Sequence, residues 1–221
     1  MSTAGDKPSD RNAARHAAIL LIGPTGSGKT PLGNLLEARG LWGRRCVHFD
    51  FGASLRACAA GAGHGAGLTR GECTLLAQML ESEALLEDEH FRIAENVLRS
   101  FLADRDAGPQ TLVVLNGLPR HVGQATDMKR VVRVEALVHL SCPPKVIRER
   151  VRTNAGGDRT DRSDDDARAV AHKMAVFQER TAPLVAYYRD GGTPVITIGV
   201  AADTTADAMW QRLNESPPNR A

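Results

Sequence analysis

The chain has 221 residues, 42% hydrophobic and 24% charged, a composition that reads as one globular domain with a sizeable core and excludes global disorder. Its net charge of +2 gives no strong field toward nucleic acid or anionic lipid. The four cysteines form no CxxC pair, which speaks against a zinc site or a disulfide framework, and no apolar run reaches signal-peptide or membrane-spanning length, so a cytoplasmic location is expected.

In chain order, residues 1–15 read as a flexible tail and residues 17–22 (AAILLI) as a first strand. Further strands are expected at 45–51, 111–115, 134–140 and 194–198, several of them short continuous apolar runs suited to burial on both faces. Helix-like stretches lie between them at 72–105, 144–152 and 164–189, and Leu75, Leu76, Met79 and Leu80 read as a core face. The glycine-rich run 60–67 is either a hinge or a plain surface loop, and residues 154–166 read as a polar loop leading into a helix N-terminus. Residues 216–221 form a loose end. Strands alternating with helices in this way predict an α/β, doubly wound, mainly parallel sheet.

The first strand runs into Gly23-Pro24-Thr25-Gly26-Ser27-Gly28-Lys29-Thr30, a complete GxxxxGK[ST] motif followed by a helical stretch. Glycines let the backbone wrap a phosphate closely, and the N–H groups of the loop and helix start surround it. Lys29 is placed to bridge β- and γ-oxygens, and the Thr30 hydroxyl to ligate Mg²⁺, so the chain is expected to bind a nucleoside triphosphate, with ATP and Mg²⁺ as cofactors. An acid should close the strand beside the first one, but the strand 111–115 ends in Asn116. Asn116 can hold a metal-bound water through its carbonyl but carries no charge. Asp50 closes another strand, and the carboxylate function has either moved there or weakened.

The segment 48–57 (HFDFGASLRA) follows, then Asn116-Gly117-Leu118-Pro119-Arg120 with Gln124, then Arg162-Ser163-Asp164-Asp165, and last Thr181-Ala182-Pro183-Leu184 with Tyr187-Tyr188. In this order the motifs resemble the adenylate kinase (nucleoside monophosphate kinase) family over most of residues 17–200. The resemblance implies a three-layer P-loop kinase domain over 16–215 with a five-stranded parallel sheet, an acceptor-binding helical insertion at about 52–105 and a short LID at about 154–165. It implies that Arg56 and Arg120 hold the acceptor's monophosphate as bidentate forks, that Gln124 hydrogen-bonds the acceptor base, and that Arg159 and Arg162 close from the LID onto the transferring phosphoryl group. The implied partners are a nucleoside triphosphate and a nucleoside monophosphate, and the implied state is a monomer.

Departures from the family pattern bear on the acceptor. Asn116 replaces an Asp, and Asp50-Phe51 stands where a small Ser/Thr-Gly pair is usual. Phe51 either stacks on an acceptor base or fills the place of an adenine. Pro31 follows Lys29-Thr30, Lys173 replaces an arginine, and Arg152 and Arg159 are the candidates for the first LID arginine. The leading expectation is a phosphotransferase acting on a nucleoside monophosphate. Its rivals are an ATP-binding protein or weak ATPase with little kinase activity, and a small-metabolite kinase. No basic stripe or aromatic platform favours nucleic acid.

Overall fold

The structure, a computed structural model, describes residues 15–61, 68–82, 86–158 and 167–218. The expected tail over 1–15, save Arg15, the run 60–67 beyond Gly61, the LID residues Arg159, Arg162 and Asp164, and the last three residues of the loose end lie outside them. So do the side chain of Leu80 and its role in the core.

Five strands form one parallel sheet in the order β2-β3-β1-β4-β5: β1 His16–Ile22, β2 Cys46–Asp50, β3 Leu112–Asn116, β4 Val132–Ser141 and β5 Val195–Gly199. Around it run α1 Lys29–Arg39, α2 Phe51–Ala59, α3 Arg70–Glu81, α4 Phe91–Asp104, α5 Val122–Met128, α6 Pro144–Arg152, α7 Ala167–Val176, α8 Pro183–Asp190 and α9 Ala206–Asn214. The expected strands are all present with ends moved by one or two residues. Strand alternation divides the core into two layers. Ala18, Leu20, Val47, Phe49, Val113 and Leu115 pack with α4, α5 and α8, whereas Ile19, Leu21, Val114 and Val138 pack against Leu32 and Leu36 of α1 and Met209 of α9. The result is an α/β three-layer domain whose sheet is covered on both faces.

Two expected helices are interrupted, each for a physical reason. The stretch 72–105 divides into α3 and α4 because Leu86 and Glu87 are drawn elsewhere. The Leu86 side chain is buried, its carbonyl accepts from Gln124 and faces His121, and the Glu87 carboxylate takes both arms of the Arg180 guanidinium. Local helix propensity loses there to tertiary bonds. Between α7 and α8, residues Phe177–Thr181 form a π-helical turn closed by Ala182 N–H to Phe177 C=O at 2.8 Å. Pro183 at the start of α8 has no N–H to continue an ordinary ladder, and the wide turn absorbs the defect.

The sheet order also sets where a ligand can enter. β1 lies between β3 and β4, so the connections leaving the carboxyl ends of these strands part to opposite sides. That crevice is the expected binding position in an open α/β sheet. Leu76 is fully buried as expected, while Leu75 and Met79 are only partly covered, and Met79 turns toward the crevice.

Candidate active site

The loop 23–30 leaves β1 directly into α1 and forms one wall of the cleft. Gly28, at the helix N-cap, has φ 94°, a conformation that an L side chain adopts only under strain. No side chain caps α1 and no acid stands in its first turn, so the positive end of its dipole faces the cleft. Gly23, Thr25, Gly26, Gly28, Lys29 and Thr30 line the cleft. Pro24 and Ser27 do not: the Pro24 carbonyl supports the Lys29 ammonium, and the Ser27 hydroxyl is buried inside the loop without a hydrogen-bond partner among the described residues. Lys29 Nζ donates to the carbonyls of Gly23 at 2.7 Å and Pro24 at 2.8 Å, which holds the charge over the loop. An uncapped helix start, a glycine cradle and a poised ammonium fit a polyphosphate.

Beside the loop, three side chains from three elements meet. Thr30 Oγ1 donates to Asp50 Oδ2 at 2.9 Å, and Asn116 Nδ2 donates to the same oxygen at 2.9 Å and to Thr30 Oγ1 at 3.1 Å. Asp50 Oδ1 accepts from Ala53 N–H at 2.9 Å, capping α2. An ionised carboxylate only accepts, so the Asn116 amide must turn its nitrogen inward. In this structure the Asn116 nitrogen, and not the carbonyl expected to hold a metal-bound water, faces Thr30 and Asp50. His48 backs the group, with Nδ1 2.9 Å from Asn34 Oδ1 and Nε2 3.4 Å from Asn116 Nδ2. Burial pushes the His48 imidazole below its ordinary value, against the opposite pull of Asp50 and Glu37. Its ring lies so close to Gly33 of α1 that a Cβ there would clash with Nε2, so glycine is required. Oxygens from Thr30 and Asp50 suit a hard cation such as Mg²⁺.

Across the cleft, α2 carries Arg56 and the β3–α5 connection carries Arg120, and both line the same cavity as Lys29. Arg120 is partly buried, its guanidinium has no carboxylate partner among the described residues, and burial pushes it below its ordinary value. Its backbone is clamped from both sides. Its N–H donates to Gln124 Oε1 at 2.8 Å, and its carbonyl accepts from Thr181 Oγ1 at 2.8 Å. Gln124 is fully buried, and its Nε2 donates to the Leu86 carbonyl at 2.6 Å. Each end of that amide has a backbone partner, so in this structure Gln124 ties Arg120 to Leu86. Phe51 is 4% exposed and packs its ring 6.0 Å from Phe49, so it forms apolar wall at the cleft edge and offers no free stacking face. Leu55, Met79, Leu86 and Phe177 continue that wall, with Lys173 beside them.

Arg150 of α6 was not among the expected site residues. It is 3% exposed, and its guanidinium donates to the carbonyls of Gly26 at 3.0 Å, Ala201 at 2.9 Å, Ala202 at 3.0 Å and Thr204 at 2.9 Å. It ties the phosphate loop to the β5–α9 connection. Its only sequence signal was a charge at an otherwise inward position of α6, beside Ile147.

A family model described as an AAA domain matches residues 19–171. An adenylate kinase of Parvibaculum lavamentivorans is 31% identical over 186 residues, covering 79% of this chain and 80% of the relative. An adenylate kinase of Parasynechococcus marenigrum is 28% identical over 208 residues, covering 89% and 96%. One from Thermobifida fusca is 26% identical over 198 residues, covering 86% and 95%.

Proposed function

Because the chain belongs to the adenylate kinase family of P-loop kinases, we propose that it transfers the γ-phosphoryl group of Mg·ATP to an acceptor that itself carries a phosphate, a nucleoside monophosphate in first place. The observation that carries this reading is Arg120: a partly buried guanidinium without a carboxylate among the described residues, in one cleft with Lys29 and Arg56. A cation in that setting calls for an anionic ligand, and a planar fork matches phosphate oxygens.

The loop N–H groups, the start of α1 and Lys29 bind the donor's β- and γ-phosphates, with Lys29 leaving its two carbonyls to do so. Thr30 and Asp50 are the side chains that would hold the cation. Magnesium, when bound, neutralises phosphate charge in transit. Arg56 and Arg120 fix the acceptor phosphate in line, and the role expected of Arg159 and Arg162 is to stabilise charge on the moving group. This chemistry needs alignment and charge more than a general base. The apolar wall of Phe51, Leu55, Met79 and Phe177 and the committed Gln124 amide favour an acceptor recognised first by its phosphate and its shape.

A coupled ADP-release assay with Mg·ATP and a panel of nucleoside and deoxynucleoside monophosphates tests the proposal. Turnover that depends on one acceptor and vanishes in Arg120→Ala is the expected result. ADP release no faster with any acceptor than with ATP alone would refute it.

A further inference from the structure

We propose that the negative charge of the magnesium site has moved sideways by one strand, to Asp50 at the end of β2, and that Asn116 at the end of β3 is a positioning residue for that carboxylate. The inference rests on reading the cleft as a Mg·ATP site.

Asp50 and Asn116 are register partners in the parallel β2–β3 pair, so they stand at one level of the sheet. Strand alternation puts both on the face that packs against α1, the helix that begins with Lys29 and Thr30. Asp50 is the one carboxylate borne by a strand that lines the cleft among the described residues. Its two oxygens have separate tasks. Oδ1 caps α2 through Ala53 N–H, which fixes the carboxylate plane, and Oδ2 is left toward Thr30 Oγ1 at 2.9 Å.

Asn116 faces the same oxygen with its nitrogen, and an amide N–H cannot ligate a cation. What it can do is hold Asp50 in place. His48 supports that orientation from behind: if Nδ1–H donates to Asn34 Oδ1, Nε2 is left as an acceptor toward the Asn116 nitrogen. A carboxylate at 116 would stand 2.9 Å from a second carboxylate, and two like charges that close oppose each other. One acid at this level is therefore enough, and the neutral amide is what a neighbouring acid requires. Asn116 and Asp50 are two halves of one exchange.

The test measures metal-dependent nucleotide binding and needs no turnover. Affinity for the β,γ-imido analogue of ATP is determined by calorimetry in excess Mg²⁺ and in EDTA, and the ratio gives the metal's contribution. Asp50→Asn keeps an N-cap for α2, since Asn caps as well as Asp, and the EDTA affinity of the same sample reports that the loop is intact. The ratio is expected to fall about tenfold or more in Asp50→Asn, the range for disturbed metal sites. The exchange variant Asp50→Asn/Asn116→Asp returns the acid to β3 and is expected to recover most of the ratio. A ratio unchanged in Asp50→Asn, or a wild type whose binding ignores Mg²⁺, would overturn the relocation. Loss of the ratio in a protein that phosphorylates no monophosphate would support the relocation and count against the proposed transfer alone.

Discussion

On the donor side of the cleft, consecutive residues 23–30 do the work through backbone N–H groups, one helix start and one lysine. On the acceptor side, Arg56 and Arg120 come from α2 and from the β3–α5 connection, and Arg120 depends on side chains elsewhere for its place. Arg120 is held by Gln124 of α5 and by Thr181 of the π turn, and Leu86 is held by Gln124 with His121 close by. The donor half is local and the acceptor half is relational. A local phosphate site tolerates drift elsewhere in the chain, whereas a relational one changes whenever a supporting element moves.

The largest expected effects separate the halves. Arg120→Ala should lower acceptor-dependent turnover by about 10²–10³-fold, the loss typical of one preorganised charge-stabilising group. Affinity for the imido analogue of ATP should stay unchanged. Lys29→Ala should instead weaken analogue binding directly and lower turnover with it. If Arg120→Ala weakens the analogue as much as Lys29→Ala does, the two-sided description of the cleft fails.

Next in size is Arg150, which joins the donor loop to the β5–α9 connection through four backbone carbonyls. Arg150→Met keeps apolar bulk but removes every donor, leaving four backbone carbonyls without their guanidinium partner. Urea unfolding should show a loss of about 3 kcal/mol, since bonds to a charged donor are worth more than neutral ones. Analogue affinity should fall as well, because Gly26 is one of the four partners. A loss below about 1 kcal/mol would mean that water replaces the guanidinium and that the loop holds its own shape.

The same contrast explains what could be read from the residues in order. The phosphate loop was legible because its eight positions are adjacent and each type has a physical reason to be there. The five strands were legible because strands covered on both faces are continuous apolar runs. The link between Asp50 and Asn116 was half legible, since both close strands, but only the β2–β3 register places them side by side. Arg150 was not legible, because its partners lie in two segments distant from α6. Gln124 was placed near the acceptor through family likeness, yet its fully buried amide is spent on backbone groups whose positions no local pattern reveals. The break between α3 and α4 escaped for the same reason, being made by bonds at Leu86 and Glu87 to distant elements.

Gln124→Leu sharpens the acceptor half. It conserves volume but strands the Arg120 N–H and removes one donor from the Leu86 carbonyl, so a destabilisation of about 2 kcal/mol is expected. The acceptor KM should rise by one common factor across bases, because the substitution loosens Arg120 and not a base contact. A change in the order of preferred bases would show instead that Gln124 turns to read the acceptor when it binds.

The smallest expected effect is on pH, and it falls outside the cleft. Burial, aided by the positive charge of Arg189, pushes His139 of β4 below the ordinary 6.5, and burial with Arg99 does the same for His16 of β1. A base whose folded value is depressed takes up its proton more readily in the unfolded chain. Its contribution to stability is therefore complete above 6.5 and is lost as the pH falls below that value toward the folded one. Glu87 acts in a lower window, since its bond to Arg180 holds it below the ordinary 4.5, and that contribution is lost only in more acid solution. Both Glu87 and Arg180 are partly exposed to solvent, which keeps their share small. Melting temperatures followed downward from neutral pH should thus decline first through the histidine window. His139→Gln should flatten that first decline and leave the second in place. If His139→Gln leaves the first decline as steep as before, the loss comes from the other depressed histidines of the sheet, His16 of β1 and His48 of β2, and the β4 position of His139 contributes nothing to it.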